Sequence, residues 1–487
     1  MHSLTRAPQA LLPFVAAFWL SACVSAAVFS RDDARVLRGE YPNFLAPAPR
    51  PLPSSACDAT QSPCHAVGDG HTDDTAALQH CIDIACTRDI GGRFTVLLPK
   101  GKRFLTGSLN LTSGLRLVVD GTLLGTTDPS RYPVVPPLPG YGPGQRDSAI
   151  HGWGRHQALL SGWNMTHVTV TGSGTIDGQG LVKDSKLGSS WMSRFTSKTL
   201  DFGRPRIWEP MFSSHLELSR VRITNQAFWA IHPYGCDDVY IGYVNVSAPR
   251  DEGIANDDGI DPDSTGNLLV EDCWVSVGDN SVAIKSGMDW YGRQLNMASY
   301  NQVYRNSIFT CETFAIGSEM SGSVYNITVD NCIFGTDSSD YAGVHFKAPR
   351  GRGGSIHDIN IINSVFHLEA SRKQGMPISA SMFYGSPPAY CHPACNASAT
   401  PHVHHVLFKN LTFFLPISGP QPQVKTTPSF QFTGVPESPM SNFHFEDLTV
   451  SSAGGGSHGW ECADVKNFTF ERVLPKPTAA SGCMAAA

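Results

Sequence analysis

The sequence predicts an all-β fold: a solenoid of stacked parallel coils, with a helix capping its N-terminal end. Three observations point there. Gly (46 of 487 residues) and Pro (34) are plentiful, and charged residues are only 16%, a balance that suits short strands and turns. Nine eight-residue segments share apolar alternation broken by a polar middle: LELSRVRI (from 216), VYIGYVNV (239), LLVEDCWV (268), QVYRNSIF (302), ITVDNCIF (327), INIINSVF (359), VLFKNLTF (406), FHFEDLTV (443) and FTFERVLP (468). Their starts are 23, 29, 34, 25, 32, 47, 37 and 25 residues apart, so equivalent units carry loop insertions. A second element recurs between them: AIHP (230), GIDP (259), AIKS (283), AIGS (315) and GVHF (343). Two or more short strands in about 23 residues fit one coil of a solenoid. A propeller blade needs four strands in about 40–45.

Along the chain, the first element is a targeting segment. Arg6, an apolar run from Leu11 to Leu20 and small residues up to Ala26 and Ala27 form a secretory signal over 1–27. The run is broken by Pro13 and short for a membrane span, so no stable membrane association is expected. Cys23 in LSAC also fits a bacterial lipoprotein signal. Seven N-x-[ST] sequons, at Asn110, Asn164, Asn245, Asn326, Asn396, Asn410 and Asn467, favour a eukaryotic secretory route and an extracellular or cell-wall location. Residues 28–55 read as irregular, 56–475 as the solenoid and 476–487 as a tail. In HTDDTAALQHCIDIAC, Thr72 is the expected N-cap, and Ala76, Ala77, Cys81, Ile84 and Ala85 the expected apolar face. Twelve cysteines follow the signal, an even number that suits an oxidising compartment. Cys57/Cys64, Cys81/Cys86, Cys391/Cys395 and Cys462/Cys483 are the expected pairs, while Cys273 and Cys332 share one repeat position and read as core thiols.

The second ladder sets out a face. With Ile231, Ile260, Ile284, Ile316 and Val344 pointing inward, period-two alternation turns His232, Tyr234, Asp261, Asp263, Lys285, Glu319, His345 and Lys347 outward. Rungs lie about 4.8 Å apart, which makes one strip of acids and bases. Asp258 and Asp279 each precede their rung, in the turn, where parity does not set direction, and their spacing of 21 residues, about one coil, places them near each other. Adjacent carboxylates repel, which lifts one pKa and lets one group hold a proton near neutral pH. That is the requirement for acid–base cleavage of a glycosidic bond. With inversion, the two carboxyls typically stand about 6.5–9.5 Å apart.

At these residues the chain resembles the polygalacturonase family, glycoside hydrolase family 28, in its plant-type and bacterial branch. The resemblance runs from about Ala66 to about Phe470. It is carried jointly by GDGHTDDTAALQ, TIDGQG (175–180), FWAIHP (228–233) and CETFAIGSEMSGS. It implies a right-handed parallel β-helix. The family's Asn-Thr-Asp is NDD here, so Asp258 matches its aspartate. Its Gly-Asp-Asp is GDN: Asp279 matches the general acid, and Asn280 replaces the aspartate that helps activate water. Gly-His-Gly becomes GSE, ending at Glu319. Arg-Ile-Lys, which grips the substrate carboxylate, becomes HFK, so Lys347 survives and His345 replaces the arginine.

The expected activity is therefore hydrolysis of galacturonan-type polysaccharide with inversion. Asp279 donates the proton, and Asp258 activates water with help from Asp261. Lys347 binds the uronate carboxylate, and His345 does so less firmly because it is charged only at mildly acidic pH. Arg350 and Arg352 compensate for the missing arginine. His232 and Lys285 line neighbouring subsites, Trp229 and Trp290 stack on sugars, and insertions 181–215 and 367–405 shape the groove ends. Neither a metal nor a cofactor is called for, and a monomer is the working expectation. With a net charge of −6 and no basic run, nucleic acid is not an expected partner. Two other readings remain open: a non-hydrolytic carbohydrate-binding protein, motivated by Asn280 and His345, and a pectate lyase using a base and Ca²⁺.

Overall fold

A computed structural model describes residues 48–484 apart from 49, 87, 90, 143–153, 250–254, 311–313, 337–342, 369–375, 386–398, 416–428 and 453–458. The expected signal segment, most of 28–55, the Cys391/Cys395 pair and Asn396 lie outside the described residues. Among the described residues, no helix is long and apolar enough to cross a membrane.

The nine repeats stack in the register that their first residues predict. Leu216 pairs with Val239, Val239 with Leu268, Leu268 with Gln302 and Gln302 with Ile327, all in parallel. Ile327 continues to Ile359, Ile359 to Val406 and Val406 to Phe443. The polar middle is a bend: the fifth residue of every repeat has left-handed φ, from 51° at Asn363 and Arg472 to 66° at Arg220. Six of the nine, Asp272, Asn306, Asn331, Asn363, Asn410 and Asp447, are Asn or Asp, the side-chain-bearing types that tolerate this backbone best. Their amides can also stack, as where Asn331 Nδ2 donates to Asn306 Oδ1 at 2.9 Å.

A separate parallel sheet forms another face from Val282–Ile284, Phe314–Gly317, Val344–Lys347, Ile378–Ser381, Ser429–Thr433 and Gly459–Ala463. Towards the N-terminus it thins to single bridges, Trp208 to Ile231 and Ile231 to Ile260. Pro233 and Pro262 lie in this stretch and have no N–H for a ladder. The register here differs from expectation by two residues. Ile260 pairs with Val282 rather than Ile284, and Phe314 with Val344 while Ile316 pairs with Phe346. A shift of two keeps every side chain on its side of the sheet, so the inward and outward sets stand. The interior is filled by buried apolar columns, including Phe334, Phe366 and Phe413, stacked with centroids 4.5 and 4.6 Å apart. Cys273 and Cys332 are fully buried in this core, where burial pushes both thiols up to about 12.

The N-terminal helix begins later than the sequence suggests. Asp69–Asp73 is a strand, the helix is Thr75–His80 with Asp74 at its N-cap, and a wider turn follows over Cys81–Ala85. Asp69 diverts Thr72 by accepting its N–H at 2.7 Å. Among the described side chains of this face, Leu78, Cys81 and Ile82 are buried and Ala76 is exposed, while the side chains of Ile84 and Ala85 lie outside the described set. The disulfides join Cys57 to Cys86 and Cys64 to Cys81, correcting the expected Cys57/Cys64 and Cys81/Cys86 pairs. Along a helix five residues advance about 7.5 Å, too far for one disulfide, so each cysteine of this turn is bridged to the preceding segment. Cys462–Cys483 forms as expected and ties down the C-terminal end.

Candidate active site

The outward strip is real, but it is roofed. Leu138, Tyr141, Phe228, Trp229, Tyr234 and Met288 form a second apolar cluster outside the main core. Beneath this cover, His232, Asp261 and Asp263 have no exposed surface. What stays open is a cleft of about 150 Å³ whose lining includes Trp229, Asp258, Asp279, Asn280, Lys285, Glu319, Lys347 and Tyr384.

At its centre one amide joins two acids and a base. Asn280 Nδ2 donates to Asp258 Oδ2 and to Asp279 Oδ1, both at 2.7 Å. Its Oδ1 accepts from Lys347 Nζ at 3.0 Å. The two accepting carboxylate oxygens therefore lie no further apart than twice 2.7 Å, closer than the separation of about 6.5–9.5 Å typical of inverting pairs. Asp279 also accepts the backbone N–H of Asn280 at 2.8 Å on Oδ1 and that of Asn256 at 3.1 Å on Oδ2. Across the cleft, Lys285 Nζ lies 3.1 Å from Glu319 Oε2 and 4.3 Å from the Trp229 ring centre.

Burial and the charge of Asp279 raise Asp258 to about 7, against the pull of Lys285, the Asn280 bond and Lys347. Burial likewise lifts neighbouring Asp257 to about 7. Burial opposes the charge on Lys347, but the attraction of Tyr384, Asp279 and Asp258 overcomes it and its pKa rises. Glu319 falls to about 2 because Lys285 and Arg352 outweigh the cost of its burial.

Several expected residues stand elsewhere. Asp261 is fully buried with both oxygens unpaired, and burial and Asp258 hold it well above the usual carboxylate range. It lies outside the cleft lining, away from the position expected of an assisting base. His345 also lies outside that lining. Burial and the charge of Lys347 keep it neutral far below its usual range, so mild acid does not charge it. His232 Nδ1 bonds Glu209 at 3.0 Å, in a buried cluster where Arg155 and Arg206 also pair with Glu209, and does not line a subsite. Arg350 is paired with Glu437 at 2.7 Å, and Arg352, 1% exposed, with Asp289 at 2.5 Å. Neither lines the cleft in place of the missing arginine. Trp229 does line it, whereas Trp290 is 41% exposed and outside it. Tyr384 and Met288 line the cleft too, and nothing in the repeat pattern marked them.

A larger cavity of about 830 Å³ lies over another face, near Arg93, Arg116, His167 and His215. Its carboxylates are occupied locally: Asp89 by the Arg93 N–H, Glu217 by Ser219 and Asp238 by His215. Of these two cavities, the smaller one unites two carboxylates with lysines.

The parallel coils and this cleft place the chain among the parallel β-helix proteins that present paired carboxylates on an outer face. The match to glycosyl hydrolases family 28 spans residues 91–472. The chain belongs to that family, and it is a glycosidase acting on O-glycosyl bonds. A probable polygalacturonase of Vitis vinifera is 30% identical over 424 residues, 84% of this chain and 78% of the relative. An exopolygalacturonase of Zea mays is 28% identical over 358 residues, 71% of this chain and 74% of the relative. The exopolygalacturonase of Thermotoga maritima superposes with a TM-score of 0.64 at 23% identity, over 86% of this chain and 93% of that one. A polygalacturonase from Erwinia carotovora gives 0.62 at 21%, over 87% and 99%. These structures share the fold, a right-handed parallel β-helix.

Proposed function

We propose that this protein is a secreted hydrolase of pectic galacturonan in which Asp258 and Asp279 do the acid and base work and Lys347 receives the uronate carboxylate. One observation carries the reading: both carboxylates and Lys347 converge on Asn280 in a single cleft. A carboxyl raised to about 7, as Asp258 is, can hold a proton for donation up to near-neutral pH. Trp229 and Tyr384 offer apolar ring surface to a sugar. The sequence's signal segment and sequons support secretion.

The family likeness gives proton donation to Asp279 and water activation to Asp258. The hydrogen bonds favour the reverse. Asp279 receives three N–H donors, all of which an ionised carboxylate can accept together. Asp258 receives one on Oδ2, which leaves Oδ1 for the proton. An aryl galacturonide with an activated leaving group distinguishes the two, because it needs no acid. The variant of Asp258→Asn and Asp279→Asn that retains most of its rate on this substrate has lost the donor. Inversion is carried over with the likeness, and retention is the competing outcome at this close carboxylate spacing. Proton NMR of the first sugar anomer released decides between them. If wild type releases no reducing ends from any pectic substrate, the hydrolase reading falls.

A further inference from the structure

We propose that Asn280 is a positioning residue that supplies, at any pH, two hydrogen bonds a carboxyl could make only with extra protons, and that it thereby extends the working range of the site towards neutral pH. The inference rests on the hydrolase reading for its kinetic test and on geometry alone for its physical test.

Donor count separates an amide from a carboxyl at this position. A primary amide carries two N–H groups on one nitrogen, and Asn280 spends one on each carboxylate at 2.7 Å. Its oxygen faces the one ammonium within hydrogen-bond reach on this side, Lys347 at 3.0 Å. Every polarity matches, and none changes between mildly acidic and neutral pH. A carboxyl at this position has at most one O–H. With three carboxyls in contact, both bridges persist only if at least two protons are shared among them. If all three ionise, oxygens meet at hydrogen-bond distance with like charge.

The surroundings limit relief. From the preceding coil, Asp257 and the fully buried Asp261 add acid groups. On the same coil as Asn280, Lys285 attracts Asp258 but is already paired with Glu319 of the following coil. Lys347, with Tyr384 beside it at 5.1 Å, is the cation that touches Asn280 itself, and this one contact faces two carboxylate contacts. Asn280 is itself 6% exposed, so water screens little.

The test is Asn280→Asp, with two readouts. On polygalacturonate, the alkaline limb of the variant's pH–rate profile should move to acid by about one pH unit or more, with at least a tenfold loss relative to wild type at pH 7 and a smaller loss at pH 4.5. An unchanged limb, with a uniform gain or loss at all pH, overturns the inference while leaving the hydrolase reading intact. If neither protein hydrolyses a pectic substrate, the hydrolase reading fails and melting decides the inference. The melting temperature of the variant should lie close to wild type at pH 4.5 and several degrees below it at pH 7.5. An offset that is the same at both pH values overturns it.

Discussion

Asp258→Asn should make the protein more stable at alkaline pH while disabling it. Asp258 is 2% exposed and is raised from 3.8 to about 7 by burial and the charge of Asp279. Because the folded state holds this proton more tightly than the unfolded chain, the group's favourable contribution is full below about pH 4. It is lost as pH rises towards 7 and is constant above that. At ~1.4 kcal/mol per tenfold change in proton affinity, the rise corresponds to ~4 kcal/mol. Proton sharing with Asp279 and relaxation of the site reduce the expected effect to about 2–4 kcal/mol. The amide is nearly the shape of the protonated acid and does not titrate. Urea unfolding followed by tryptophan fluorescence at pH 4.5, 6 and 8 should show the variant close to wild type at the first pH and about 2–4 kcal/mol more stable at the last. A pH-independent difference, or a variant less stable at pH 8, would refute an ionisable group buried at a cost to the fold. The same substitution should lower the rate on polygalacturonate by ~10²–10⁴.

Phe366→Ala removes the middle ring of a stack with neighbours at 4.5 and 4.6 Å. It should cost ~3–5 kcal/mol in urea unfolding. Arg352→Met leaves Asp289 buried without the cation it faces, their side chains being 1% and 2% exposed. A loss of ~3–5 kcal/mol is expected, partly recovered by pairing it with Asp289→Asn, which removes the buried charge and keeps a residue type that accepts the left-handed φ of 52° at this position, as read by thermal melting of the variants. Lys347→Met should weaken uronate binding by about 2 kcal/mol or more. That would appear as a KM raised tens-fold on polygalacturonate and little change on a fully methyl-esterified substrate.

The coils were legible because each repeat states the same thing: apolar alternation, then a residue that accepts left-handed φ, then a second short strand. Arg220, Tyr243 and Arg472 occupy that bend without being Asn or Asp, and the pattern still identified them by position. The second ladder was read two residues out of register because small–branched–polar signatures recur at both Val282 and Ile284, and only pairing chooses between them. Disulfide partners were hidden because sequence spacing does not report which cysteines a helical turn separates. In the site, parity identified the outward side chains but not the roof over them. Tyr141, Met288 and Tyr384 come from segments with no repeat signal, and cover of this kind leaves His232 and Asp261 shut away. The proposed division of acid and base roles was hidden for a related reason: it rests on N–H groups of Asn256 and Asn280 aimed at Asp279.

The most direct test of the account is release of reducing ends from polygalacturonate by wild type, Asp258→Asn and Asp279→Asn at pH 5 in the presence of EDTA. The account predicts multiple turnover by wild type with no ultraviolet-absorbing unsaturated product, and losses of at least a hundredfold in both variants. Equal release by all three proteins, or an unsaturated product that disappears with the chelator, would contradict it.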